Sequence, residues 1–98
     1  MSPKLVRYRV KPEKVEENQR LIEDVFLELT AKAPAGVRYL VLKLSDGTFC
    51  HLFEDGSKTI PNLDAFAAFR RGGEERRLEE PQQLEAVVVG NYRMLVDA

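Results

Sequence analysis

Near the middle of the chain two apolar runs, GVRYLVLKL (36–44) and TFCHLF (48–53), are joined through Ser45-Asp46-Gly47-Thr48. Asp-Gly between such runs is the strongest short signal for a β-hairpin, because a two-residue turn requires positive φ at both central positions. Two paired strands in mid-chain then fix what the flanking segments must pack against. With Asp46 and Gly47 as the turn residues, Leu44 is expected opposite Phe49, Leu42 opposite His51 and Leu40 opposite Phe53, all on one face. Tyr39, Val41, Lys43, Cys50, Leu52 and Glu54 then share the other.

The flanks read as one strand and one helix on each side. Val6, Tyr8 and Val10 alternate with Arg7, Arg9 and Lys11, the period of a strand with one buried face, and Pro12 stops it. From Glu13 the period changes: Val15, Ile22, Val25, Phe26, Leu29 and Ala33 fall near one side of a helix that Pro34 and Gly36 end. After the loop EDGSKTIPN, Asn62 is the expected N-cap of a second helix beginning LDAFAAF. Gly72-Gly73 interrupts that helix, which restarts through EERRLEE, and Pro81 closes it before LEAVVVGNYRML supplies a last strand. The order β-α-β-β-α-β predicts an α+β, ferredoxin-like fold: a four-stranded antiparallel sheet, order 4-1-3-2, with two helices on one face. At 98 residues the chain is expected to form a single domain, 1–98.

The sheet is apolar in both phases. Ala86 and Val88 alternate with Val87 and Val89 in the last strand, and the hairpin is apolar on one face and mixed on the other. Antiparallel sheets covered on one side alternate more cleanly. Two helices cover only one face, so a second copy of the chain is expected on the other, giving a homodimer through the sheet. A formal charge of -1 lacks the basic field that nucleic acid or an anionic membrane attracts, and neither is expected as a partner. The single cysteine, Cys50, fits a reducing compartment; with no signal-like or membrane-length apolar run, a cytoplasmic location is expected.

Over nearly its whole length, with GVRYLVLKLSDGTFCHLFED in the middle, LDAFAAFRRGGEER on the second helix and VVVGNYR near the end, the chain resembles the dimeric α+β barrel superfamily and its antibiotic biosynthesis monooxygenase-like domains. The resemblance implies a pocket between sheet and helices in each subunit of a dimer. Relatives that make quinones without a cofactor, or that open haem, rely on an asparagine and a tryptophan, the latter group adding a histidine on the second helix. This chain has no tryptophan, its second helix carries Phe66 and Phe69 instead of histidine, and Asn18 is the positional counterpart of the asparagine.

Two functional readings follow. In the first, the only histidine, His51, serves as general base on a phenol or enol, with Tyr8, Asn18, Tyr39 and Tyr92 orienting substrate or an oxyanion and Phe66 and Phe69 lining the pocket. That describes a monooxygenase-like or isomerase-like enzyme for a small aromatic or polyketide-like molecule, working without a cofactor. In the second, His51 is a neutral, hydrogen-bonded piece of core, and the protein binds a small molecule without chemistry or is structural. Cys50 is expected on the opposite face from His51, which disfavours a Cys-His pair. Arg70, Arg71, Arg76 and Arg77 alternate with Glu74, Glu75, Glu79 and Glu80 and read as a solvated face. Arg7 and Arg9 are expected to reach water or pair with acids such as Glu54 or Glu85. Neither a phosphate loop nor a metal-ligand spacing is found.

Overall fold

In the computed structural model, which describes residues 3–95, the alternation at the start of the chain becomes β1 (Lys4–Arg9). After a 3-10 turn at Pro12–Lys14, the first helical pattern forms α1 (Val15–Lys32); β2 (Val37–Lys43) and β3 (Thr48–Asp55) are the hairpin. The second helical segment divides into α2 (Asp64–Arg70) and α3 (Gly73–Arg76), and β4 (Gln82–Glu85) closes the order. All strands pair antiparallel in the order β2-β3-β1-β4, which is 4-1-3-2 read from the other edge. Tyr8, Val10, Ile22 and Phe49 form the buried centre, with Val6, Val15, Phe26, Val41 and Phe69 packed against it.

The hairpin differs from expectation by one residue. Leu44 N–H donates to Thr48 O at 2.7 Å and Gly47 N–H to Leu44 O at 3.1 Å, so the loop is Ser45-Asp46-Gly47 and only Gly47 has positive φ, +87°. The Asp46 carboxylate accepts the Thr48 N–H at 2.9 Å, holding a turn in which glycine alone takes the left-handed position. Val41, not Leu42, therefore stands opposite His51, and Tyr39 opposite Phe53. Because side chains alternate along a strand, this slip turns β2 over. Tyr39 and Val41 join His51 on the helix-covered face; Leu40, Leu42 and Leu44 go to the open face with Leu5, Cys50, Leu52 and Leu84.

Both helices of the second segment begin and end differently from the pattern. Asn62 caps nothing; its amide donates to Lys58 O, and α2 starts after the 3-10 turn Ile60–Asn62. The free Ala65 N–H is instead accepted at 2.8 Å by Glu28 Oε1 of α1, while Glu28 Oε2 accepts from Lys32 Nζ. Gly72, at φ +76°, breaks the helix where the glycine pair stands, and the chain then returns to β1: Lys11 N–H bonds Arg76 O and Leu78 N–H bonds Arg9 O. The last strand is shorter than LEAVVVGNYRML. Ala86 N–H pairs with Pro3 O, and Val87, Val88 and Val89 lie outside β4 and are exposed. No helix among the described residues is long and apolar enough to cross a membrane.

Candidate functional site

The register fixes the neighbours of His51. Val6 and Val41 lie directly opposite it on the two flanking strands, which puts Tyr8 and Tyr39 one diagonal step away on the same face, within reach of long side chains. Tyr8 Oη lies 2.8 Å from His51 Nε2, and Tyr39 Oη lies 2.7 Å from Nδ1. Phe69 of α2 covers the imidazole with ring centroids 5.7 Å apart, and Phe66 packs behind Phe69. Asn18, facing inward from the start of α1 and 1% exposed, donates from Nδ2 to Tyr8 Oη at 3.2 Å.

The chain of contacts continues to a residue that helical spacing placed in solvent. Arg76 is 3% exposed; its Nε donates to Asn18 Oδ1 at 3.0 Å, and its terminal nitrogens donate to the carbonyls of Arg71 and Phe69. Its guanidinium also lies 5.4 Å over the Phe69 ring, while the nearest carboxylate, Glu17, is 4.0 Å away. Arg76 turns inward because left-handed Gly72 resets the helical phase, so the i, i+4 pairing with the neighbouring glutamates never forms. The solvated-face reading thus holds poorly for Arg76, and the Gly72-Gly73 pair was its only signal in the sequence. On the open face Arg9 pairs with Glu79 at 3.1 Å, and Arg38 with Glu54 at 3.3 Å.

Donor bookkeeping gives this network a direction. Arg76 has only hydrogens to give, so Asn18 must present its oxygen to Arg76 and its NH2 to Tyr8. Tyr8 Oη, already accepting from Asn18, gives its own hydrogen to His51 Nε2, and Nδ1–H goes to Tyr39. The reverse tautomer would leave the Tyr8 hydroxyl hydrogen without an acceptor at 4% exposure; the forward one leaves the spare hydrogen on half-buried Tyr39. Burial sets the charge states. It pulls His51 down to about 4 and pushes Tyr8 up to about 12, the latter against the Asn18 hydrogen bond and the nearby Arg76 and Arg77 charges. Tyr39 is raised by burial too. Near neutral pH the two phenols and the imidazole are all uncharged, and Arg76 supplies the fixed charge.

A cleft of about 210 Å³ opens onto this network, walled by Tyr8, Asn18, Phe69 and the α2–α3 junction with Arg70, Gly73, Glu74, Arg76 and Arg77. His51 is not in its wall: both ring nitrogens are taken by tyrosines, and of the network it is Tyr8, Asn18 and Arg76 that line the cleft. Among the sequence candidates, Tyr8, Asn18, Tyr39, His51 and Phe69 come together, Phe66 stands one layer back, and Tyr92 is 80% exposed in the chain end, away from them. Among the described residues no cluster of three or more His, Cys, Asp or Glu side chains is placed to hold a metal ion.

Neither a protein-family model nor a curated protein matches the sequence. The fold, however, is that of antibiotic biosynthesis monooxygenase-like domains. A Nitrosomonas europaea protein provisionally named an antibiotic biosynthesis monooxygenase superposes with a TM-score of 0.71 at 13% identity, over 92% of this chain and 100% of that one. A Caulobacter crescentus protein with the same provisional name gives 0.68 at 21% identity, over 88% and 89% of the two chains. An uncharacterised NIPSNAP domain protein from Burkholderia xenovorans gives 0.60 at 14% identity, over 99% and 100%.

Proposed function

We propose that this protein is a homodimeric, cofactor-free enzyme that removes a proton from a phenol or enol held in the cleft between its sheet and the α2–α3 junction, in an isomerase-like or monooxygenase-like reaction. The observation that carries this reading is the buried, directional chain from Arg76 through Asn18, Tyr8 and His51 to Tyr39, whose first three members line the cleft. A substrate hydroxyl placed on Tyr8 Oη loses its proton to Tyr8 as the Tyr8 proton moves to His51 Nε2. The oxyanion left behind faces Arg76 and the Asn18 amide, and the proton stays on His51 as an imidazolium whose Nδ1–H donates to Tyr39 Oη. For a phenol of ordinary acidity, near 10, against an imidazole at about 4, the transfer is uphill by about 8 kcal/mol before Arg76 acts. A preorganised cation in a water-poor site is the kind of group that lowers such a gap.

Dimerisation through the helix-free face is supported by its composition. Leu42 is 51% exposed, Leu84 48% and Leu44 44% on one face, more apolar surface than an isolated domain of this size usually leaves to water. The lone Cys50 fits a cytoplasmic setting. A non-catalytic binding role is the second reading, favoured by the fact that both His51 nitrogens are already satisfied.

A panel of small phenols and 1,3-dicarbonyl compounds, screened by thermal shift and then by oxygen uptake and deuterium exchange, separates the two. Turnover that falls at least a hundredfold in Tyr8→Phe supports the enzyme. Binding without turnover in the wild type supports the binding protein; unchanged turnover in Tyr8→Phe removes Tyr8 from the reaction.

A further inference from the structure

Within the cleft, three guanidiniums, those of Arg70, Arg76 and Arg77, face one carboxylate, Glu74. Arg77 Nε is buried and has no hydrogen-bond partner. Arg76 is buried with carbonyl and amide oxygens as partners but no carboxylate within hydrogen-bond distance. A buried donor left unmade is costly, and a buried cation is ordinarily matched by an anion. Arg77 is also held in place by a missing side chain: a Cβ on buried Gly73 would lie 2.6 Å from Arg77 Nη1. The glycine pair therefore does more than break the helix, since Gly72 turns Arg76 inward and Gly73 leaves the space in which the Arg77 guanidinium lies.

We infer that the cleft takes a carboxylate, with Arg77 as its principal partner and Arg76 behind it, so that the substrate is a single-ring hydroxyaromatic or enolic acid. This rests on the proposed proton-abstracting reading of the same cleft and narrows it. The volume, about 210 Å³, is below the roughly 300 Å³ at which clefts for drug-sized molecules begin, which limits the occupant to about one ring with its substituents. Guanidinium is suited to the task because its planar fork matches a carboxylate with two parallel hydrogen bonds. The carboxylate on Arg77 and the reacting hydroxyl on Tyr8 would be held within one small space that Phe69 also lines.

The test compares 2,5-dihydroxybenzoate with its methyl ester by calorimetry on the full chain. The acid is expected to bind about tenfold or more tightly than the ester. Arg77→Met is expected to bring the acid to the level of the ester, and Arg77→Lys to restore part of the difference. Gly73→Ala, which keeps every charge but shifts the guanidinium, is expected to weaken the preference for the acid by less than Arg77→Met does; thermal melts confirm that each variant is folded. Equal binding of acid and ester, no binding of the acid, or a preference that survives both Arg77→Met and Gly73→Ala overturns the inference. Its failure is separable from failure of the function: unchanged turnover in Tyr8→Phe removes the proton relay and leaves the acid preference untouched, whereas loss of the preference with Tyr8-dependent turnover removes only the carboxylate.

Discussion

Replacing Tyr8 with phenylalanine tests the directional network through stability alone, without a substrate. The hydroxyl is the acceptor for Asn18 Nδ2 and the donor to His51 Nε2. Its removal leaves one buried donor and one buried acceptor unmatched, in residues that are 1% and 4% exposed. At about 1–3 kcal/mol for each such group, partly offset because the buried hydroxyl itself is gone, the variant should be about 2–4 kcal/mol less stable. Tyr39→Phe strips only the acceptor for His51 Nδ1–H at the half-buried end, where water can substitute, and should cost about 1 kcal/mol. The assay is urea unfolding at fixed protein concentration, since any dimer makes apparent stability concentration-dependent. In melting temperature the gap between the two variants, about 1–3 kcal/mol, corresponds to roughly 4–24 °C for a domain of this size. A Tyr8→Phe protein within about 0.5 kcal/mol of wild type, or one more stable than Tyr39→Phe, would refute the assigned direction of the chain and with it the relay.

Other consequences can be measured directly. His51 titrates near 4 when folded and 6.5 when unfolded, so between these values the unfolded chain binds more protons and stability must rise with pH; about 3 kcal/mol present above pH 6.5 is lost as pH falls toward 4, and denaturant curves of a His51→Gln variant should lack that slope. Ala33 ends α1 in the left-handed region at φ 44°, so Ala33→Gly should stabilise the protein by about 1 kcal/mol in the same assay, and a loss of stability would contradict the strain. Leu42→Lys on the open face should shift sedimentation from dimer to monomer while the far-ultraviolet spectrum stays unchanged; a wild-type chain that sediments as a monomer at high concentration removes the dimer altogether.

How much of this is legible in the sequence depends on the range of the interaction involved. The strand and helix order, the sheet order and the hidden place of His51 follow from periodicity, which is local and strong over Lys4–Arg9 and Val15–Lys32. Tyr8 can be suspected from residue type, and Asn18 only from the position that the family resemblance gives it. The cap of α2 cannot, because it comes from Glu28, thirty-seven residues before Ala65. Nor can the burial of Arg76, whose direction depends on one left-handed glycine that shifts the helical phase; the run of alternating charges around it pointed to solvent on composition alone. The valines of the last segment read as strand by propensity, but that preference depends on packing context, and among the described residues β4 ends at Glu85 with the valines left exposed.

The smallest of these differences has the largest effect. Had the hairpin closed with two turn residues, Tyr39 would have faced away from His51 and the ring would have had only Tyr8 as a polar neighbour; the three-residue loop held by Asp46 and Gly47 brings a phenol to each nitrogen. The same slip moves Leu40, Leu42 and Leu44 to the helix-free face, where Leu5, Leu52 and Leu84 already lie. One turn geometry therefore assembles the relay on one side of the sheet and the apolar surface on the other, and the two are linked through β2. An insertion or deletion that lengthens or shortens the loop by one residue should damage both together: the leucines would be driven under the helices, Tyr39 would leave His51 Nδ1 unmatched, and association and network would fail in parallel, whereas a surface change such as Leu42→Lys should disturb only the first.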